Sequence, residues 1–295
     1  MQRTEFDVQT ADGRRVIAEV AGPEDGELVV SHAGTPGTRY AYERHLREGA
    51  DRGLRHLTYS RPGYEGSDRL AGRCFADCAP DVVALVDALG VERFHVVGTS
   101  GGAPHALACA ALLPARVISA AIVAGFPPRD AEGLDWMDGM GAPNIEEFNA
   151  VAAGDEELQR SIEALAASMG DSSDAAGVHS ALDDCISKAD EECLVEPFKS
   201  IGQADFERAV SAGIWGWFDD DKAAYADWGF DLTRIEVPLS IWHGGEDRFV
   251  PPAHGKWLSE RIPAANFHLL PDEGHISMFE RNYGPILDEL LALRT

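Results

Sequence analysis

Basic residues are scarce in this chain: 25 Lys and Arg stand against 50 Asp and Glu, a formal charge of −25. Such a surface repels nucleic acid and anionic membranes, which disfavours polyanionic partners. Beyond that exclusion, a surplus of acid usually marks a well-solvated surface. Long hydrophobic runs are missing as well. No segment approaches the roughly 18 apolar residues of a membrane span. Met1-Gln2-Arg3-Thr4-Glu5 leads into an alternating stretch with neither an apolar h-region nor a cleavage site, so a cytoplasmic location is expected. Cysteine is sparse: Cys74, Cys78, Cys109, Cys185 and Cys193 form an odd set without zinc-ligand spacing, read as reduced thiols. Cys74 and Cys78 could share a helix face as a metal or redox pair, but packing thiols are the simpler reading. Internal repeats and low-complexity tracts are absent too.

What is present is a succession of short apolar runs separated by helical patterns, an α/β rhythm. Phe6 to Val8 and Val16 to Val20 read as strands joined by the turn Asp12-Gly13, and Leu28-Val29-Val30 begins a third. A glycine loop follows, then a strand from His56 to Ser60 and a turn-rich segment, Arg61 to Gly66. Val82, Val83, Leu85, Val86 and Leu89 are spaced as one face of a helix that Gly90 stops. Phe94 to Val97 reads as a buried strand, Ala103 to Leu113 as a helix, and Val117 to Ala124 as the next strand. From Pro127-Pro128 to about Phe230 the patterns turn helical and acidic. Strands return at Pro238 to Trp242 and Phe267 to Leu270, with a helix near Trp257 between them and a last helix from Ile276 to Leu293. The expected organisation is a core of residues 1–127 and 231–295 interrupted by a helical insertion at 128–230.

Gly98-Thr99-Ser100-Gly101-Gly102 sits between a buried strand and a helix, the context that makes this five-residue pattern a nucleophile elbow rather than a simple glycine turn. A strand that turns sharply into a helix exposes its serine, and Gly98 and Gly102 supply the small neighbours such a turn requires. A serine hydroxyl is a poor nucleophile at neutral pH, so it needs a base, and the base needs a group to orient it. Asp247 follows the strand Leu239 to Trp242, and His275 follows the strand Phe267 to Leu270 immediately before the last helix. In a parallel sheet the C-terminal ends of strands share one edge, where serine, acid and histidine can converge. Glu246 and Asp272 are alternative acids, and nine other histidines are candidates for structural roles. The Gly101 N–H, and the Thr35 N–H from the loop Ser31 to Gly37, are expected to form an oxyanion hole, since Pro36 has no N–H to give.

These motifs, together with Arg61-Pro62-Gly63-Tyr64-Glu65-Gly66-Ser67 and His243-Gly244-Gly245-Glu246-Asp247, resemble the α/β-hydrolase family of capped serine hydrolases over the whole length. That resemblance implies a mostly parallel central sheet flanked by helices with an inserted helical cap. It also implies a cofactor-free, metal-free enzyme cleaving an ester, lactone or amide of a small, largely apolar substrate through an acyl-enzyme. One departure stands out: the family usually opens its oxyanion loop with His-Gly, whereas this chain has Ala33-Gly34, with His32 one residue earlier. Alternatives on the same framework are an aminopeptidase similar to proline iminopeptidases, a carbon–carbon bond hydrolase, a perhydrolase, or a ligand-binding member without turnover. The expected partner is a small-molecule substrate, and a homo-oligomer is compatible with everything above. Trp136, Met137, Met140, Phe148, Trp215, Trp217, Phe218 and Trp228 are candidates to line a pocket under the cap, with packing the commoner role. The acidic clusters Glu146-Glu147, Asp155-Glu156-Glu157 and Asp219-Asp220-Asp221 read as solvated faces, unless one of them binds a substrate amine.

Overall fold

The structure, a computed structural model, describes residues 2–170, 183–195 and 198–293. Eight strands form one sheet in the order β1-β2-β4-β3-β5-β6-β7-β8: β1 (Arg3–Gln9), β2 (Arg15–Ala21), β3 (Glu27–His32), β4 (Leu54–Tyr59), β5 (Phe94–Thr99), β6 (Val117–Val123), β7 (Leu239–Gly244) and β8 (Ala265–Leu270). β1 and β2 pair antiparallel, β2 meets β4 antiparallel, and every other pairing is parallel. The β1–β2 turn falls where Asp12-Gly13 suggests, with Gly13 at φ 86°, a value that glycine adopts without strain.

Alternation along the strands divides the core into two layers. Val30, Val96, Ile122 and Ile241 face one side of the sheet and pack with Leu85 of α2 (Cys78–Ala88), Leu107 of α3 (Ala103–Leu112) and Leu258 of the helix Pro252–Arg261. Val29, Val97, Ala121 and Val123 face the other side and meet Met278, Ile286, Leu287 and Leu290 of the final helix, His275–Ala292. These parallel strands are buried on both faces, which is why they read as short continuous apolar runs.

α1 (Glu43–Ala50) has no counterpart in the sequence reading. Its sequence ERHLREGA carries a single aliphatic side chain larger than alanine, Leu46, so no apolar stripe announces it; His45 and Gly49 complete its buried side. Between β6 and β7 the described segments contain no strand. They hold α4 (Ala142–Ala153), α5 (Asp155–Gly170), α6 (Lys188–Cys193), α7 (Phe198–Val210) and α8 (Trp215–Tyr225). Of these helices, α4, α5, α7 and α8 share an apolar cluster, with Val151, Leu158, Ile162, Phe206 and Trp217, into which Tyr64 inserts from the turn after β4. After β7 come α9 (Pro252–Arg261) and α10 (His275–Ala292). No described helix is long and apolar enough to cross a membrane.

Candidate active site

The sharp turn after β5 is built as the glycine pattern requires. Ser100 lies at φ 52°, one of three described non-glycine residues in the left-handed region, a conformation that is held only when the surroundings over-determine it. Those surroundings are tight. A Cβ on Gly98 would come within 2.5 Å of Gly102 O, and one on Gly102 within 2.1 Å of His32 O. Gly101 packs against the loop after β3, where an added Cβ would fall 2.2 Å from Thr35 Oγ1 and 3.1 Å from Thr35 N. Ser100, Gly101 and Thr35 thus line one cavity at the start of α3. The displaced His32 is no part of it. It is buried beside Tyr59, with its ring stacked 5.9 Å from that of His105.

His275 and Asp247 meet where β7 and β8 end. His275 Nδ1 donates to Asp247 Oδ2 at 2.7 Å. Asp247 is buried, and its other oxygen accepts the N–H groups of Phe249 and Val250 at 2.9 and 2.8 Å. The alternative acids Glu246 and Asp272 are both exposed. His275 shares a second cavity with Ser100, and among the described residues its only ring hydrogen bond is the one to Asp247. Burial acts to lower the His275 pKa, but the Asp247 charge and hydrogen bond, helped by the charge of Asp190, outweigh it and raise it above the ordinary value.

Sequence reasoning missed Asp190. This fully buried carboxylate on α6 accepts the backbone N–H of His275 at 3.2 Å and those of Ile276 and Ser277 at 2.8 Å each. It caps the first turn of α10 from another helix, supplying the acceptor and negative charge that a helix N-terminus favours. The signal lay in Ser187 to Asp190, where Ser187 and Asp190 form a reciprocal capping box at α6.

It also missed an ion cluster under the loop after β3. Asp219, Asp220 and Asp221 do not form a solvated face; all three are at most 5 % exposed. Asp220 on α8 pairs with Arg61 at 2.6 Å and Arg73 at 2.7 Å. It also accepts hydrogen bonds from the hydroxyls of Tyr64 at 2.8 Å and Thr35 at 3.0 Å. Arg61 in turn donates to the carbonyls of Ala33 and Gly34 at 2.6 and 2.8 Å, so the loop carrying the Thr35 N–H is held by a buried ion pair. Burial pushes the Asp220 carboxyl toward a higher pKa, and the two guanidiniums more than reverse it, leaving it well below the usual range. Asp219 pairs with Arg69 at 2.7 Å. Asp155 and Glu156 are exposed, as expected.

Of the aromatic and methionine candidates, Trp136, Met140, Phe148 and Trp217 line the cavity at Ser100. Trp228 instead packs between Phe75 and Phe126, and Trp215 is exposed beneath Arg69. Cys78 lies buried 4.0 Å from Cys109 rather than pairing with Cys74, and the five cysteines are free thiols.

Comparison with known proteins places the chain in a family. The model of the alpha/beta hydrolase fold family matches residues 27–282. A non-heme chloroperoxidase from Streptomyces lividans is 28% identical over 272 residues, 90% of this chain and 91% of that protein. A 2-hydroxy-6-oxononadienedioate/2-hydroxy-6-oxononatrienedioate hydrolase from Pseudomonas putida is 25% identical over 265 residues, 86% of this chain and 82% of its own. Among solved structures, an esterase from Rhodococcus sp. superposes with a TM-score of 0.70 at 20% identity, covering 98% of this chain and 99% of its own. A family match across most of the length, on a sheet of this strand order, identifies the chain as a member of the alpha/beta hydrolase fold family and a hydrolase.

Proposed function

We propose that the chain is a serine hydrolase that cleaves esters, lactones or amides of a small, largely apolar substrate through an acyl-enzyme on Ser100. The observation that carries this reading is the 2.7 Å hydrogen bond from His275 to the buried Asp247, on a histidine that lines one cavity with a serine held at positive φ. Asp247 fixes the tautomer that leaves Nε2 free to take the serine proton, and the resulting imidazolium is stabilised by the same carboxylate. The serine oxygen attacks the carbonyl carbon, and the N–H groups of Gly101 and Thr35 hold the oxyanion. His275 then protonates the leaving group, and water, activated by the same base, releases the acid. Ser100 and His275 share no hydrogen bond in this structure, and substrate binding is expected to close that contact.

The insertion between β6 and β7, residues 128–230 in our reading, acts as a cap that excludes water and shapes the pocket. Trp136, Phe148 and Trp217 contribute its apolar wall. Free thiols and the acidic surface fit a cytoplasmic setting. A carbon–carbon bond hydrolase is the second reading, favoured by the name of the Pseudomonas relative. A dioate is a dianion, however, and Glu147, Asp220 and Asp221 line the cavity at Ser100, which disfavours that substrate.

Ser100→Ala tests the proposal. The variant is expected to retain its circular dichroism spectrum and to lose p-nitrophenyl ester turnover by at least about 10⁴-fold. The wild-type chain is expected to label with a fluorophosphonate probe. Full activity in the variant would exclude Ser100 as nucleophile, and a wild-type chain that neither labels nor turns over would be a binding protein.

A further inference from the structure

Two cavities meet at Ser100. The smaller, ≈ 140 Å³, lies beneath α4 and α8 and has aromatic walls, among them Phe126, Trp136 and Phe148. The larger, ≈ 420 Å³, lies between the loop after β3 and α10, and His275 lines it. Thr35, Pro36, Ser100 and Phe249 belong to both. A carbonyl seated between Ser100 and the Thr35 N–H therefore sends one arm into each cavity. His275 sorts the arms. The group that protonates the departing atom must stand beside it, so the leaving group occupies the larger cavity and the acyl group the smaller. A volume near 140 Å³ suits a small acyl group, since a cavity of about 150 Å³ accommodates benzene.

The acyl cavity also carries charge in its wall. Glu147 of α4 and Asp221 of α8 lie side by side there. Glu147 accepts a hydrogen bond from Trp217 Nε1 at 2.6 Å. Asp221 is 5 % exposed, and its Oδ2 receives no hydrogen bond from any described donor. Arg61 and Arg73, the cations nearby, are engaged by Asp220 at 2.6 and 2.7 Å. Burial raises the pKa of both carboxyls, and the facing Glu147 pushes Asp221 higher still, which disfavours two bare carboxylates side by side. Two carboxylates with one bound ammonium carry the same net charge as two carboxylates sharing one proton, so an incoming neutral amine that takes up that proton leaves the charge of the buried site unchanged. The aromatic walls add π faces for an ammonium to lie against.

We propose that Glu147 and Asp221 form an acyl-side subsite for a protonated amine. Preferred substrates are then esters or amides whose small acyl group bears an ammonium and whose leaving group is larger and apolar. The orientation of the arms rests on the roles assigned above to Ser100, His275 and Thr35, whereas amine binding does not, and the experiment separates the two. In thermal melts, benzylamine is expected to raise the melting temperature of the wild-type chain more than the isosteric benzyl alcohol. Asp221→Asn and Glu147→Gln, which keep the side-chain shape, are expected to abolish that difference. In kinetics, p-nitrophenyl esters of aminoacyl groups are compared with esters that carry a methyl in place of the ammonium, over two to five acyl carbons. At the favoured length the amine-to-methyl ratio of kcat/KM is expected to fall about tenfold or more from wild type to either variant. Intrinsic reactivity differences cancel in that comparison. Equal stabilisation of the wild-type chain by benzylamine and benzyl alcohol overturns the subsite, even if neither variant folds, and so does an unchanged kinetic ratio at every chain length. Amine-specific stabilisation without any ester turnover upholds the subsite and removes the proposed acyl-enzyme chemistry on Ser100 instead.

Discussion

His275 is the residue on which the proposed chemistry turns, and its environment fixes a pH dependence. Asp247 and Asp190 together raise its pKa above the ordinary histidine value of 6.5. A raised pKa favours the protonated form, and general-base catalysis needs the neutral one, so activity is lost as pH falls through the raised value. The acid limb of the kcat/KM profile should therefore lie above 6.5. Asp190→Asn keeps an acceptor for the α10 N–H groups but removes the charge, and should move that limb to lower pH. A limb that does not move would leave Asp190 with a purely structural role. The site residues legible in sequence were those whose local context is distinctive: Ser100 between strand and helix, Asp247 and His275 each at the end of a strand. Asp190 escaped because its partners, the N–H groups of residues 275–277, lie 85 to 87 positions away.

At the scale of elements, α8 does more than cover the pocket. Its Asp220 is 3 % exposed, and Arg61 and Arg73 are buried equally deeply. Asp220→Asn would leave two guanidiniums without a counter-charge, which costs about 3–5 kcal/mol when a buried pair is broken from one side. Urea unfolding should show that loss as a lower midpoint with little change in slope. A loss below about 1 kcal/mol, the worth of an exposed pair, would mean that water reaches the cluster. The run Asp219-Asp220-Asp221 looks solvent-facing in sequence because three acids in a row normally are. Only tertiary structure brings Arg61 against Asp220 across 159 residues and Arg69 against Asp219 across 150. The strands show the opposite case. Their apolar runs are local, and all eight were readable, whereas α1, with one aliphatic anchor, was not.

Across the whole molecule, the charge of −25 surrounds a cavity that itself contains Glu147, Asp220 and Asp221. A field of this sign should slow the encounter of anionic substrates, and salt should relieve it. The kcat/KM for an anionic hemisuccinate p-nitrophenyl ester should rise with ionic strength while that for the neutral butyrate stays nearly constant. Identical salt responses would show that the surface charge does not reach the site. The insertion touches the proposed machinery at two places: Asp190 holds the first turn of α10, and Asp220 braces the loop that carries Thr35. Any excursion that lifts these helices far enough to admit a bulky guest also slackens the imidazole and the anion cradle together. Admission and bond cleavage then become successive states of one molecule, and the serine idles whenever the chamber stands ajar.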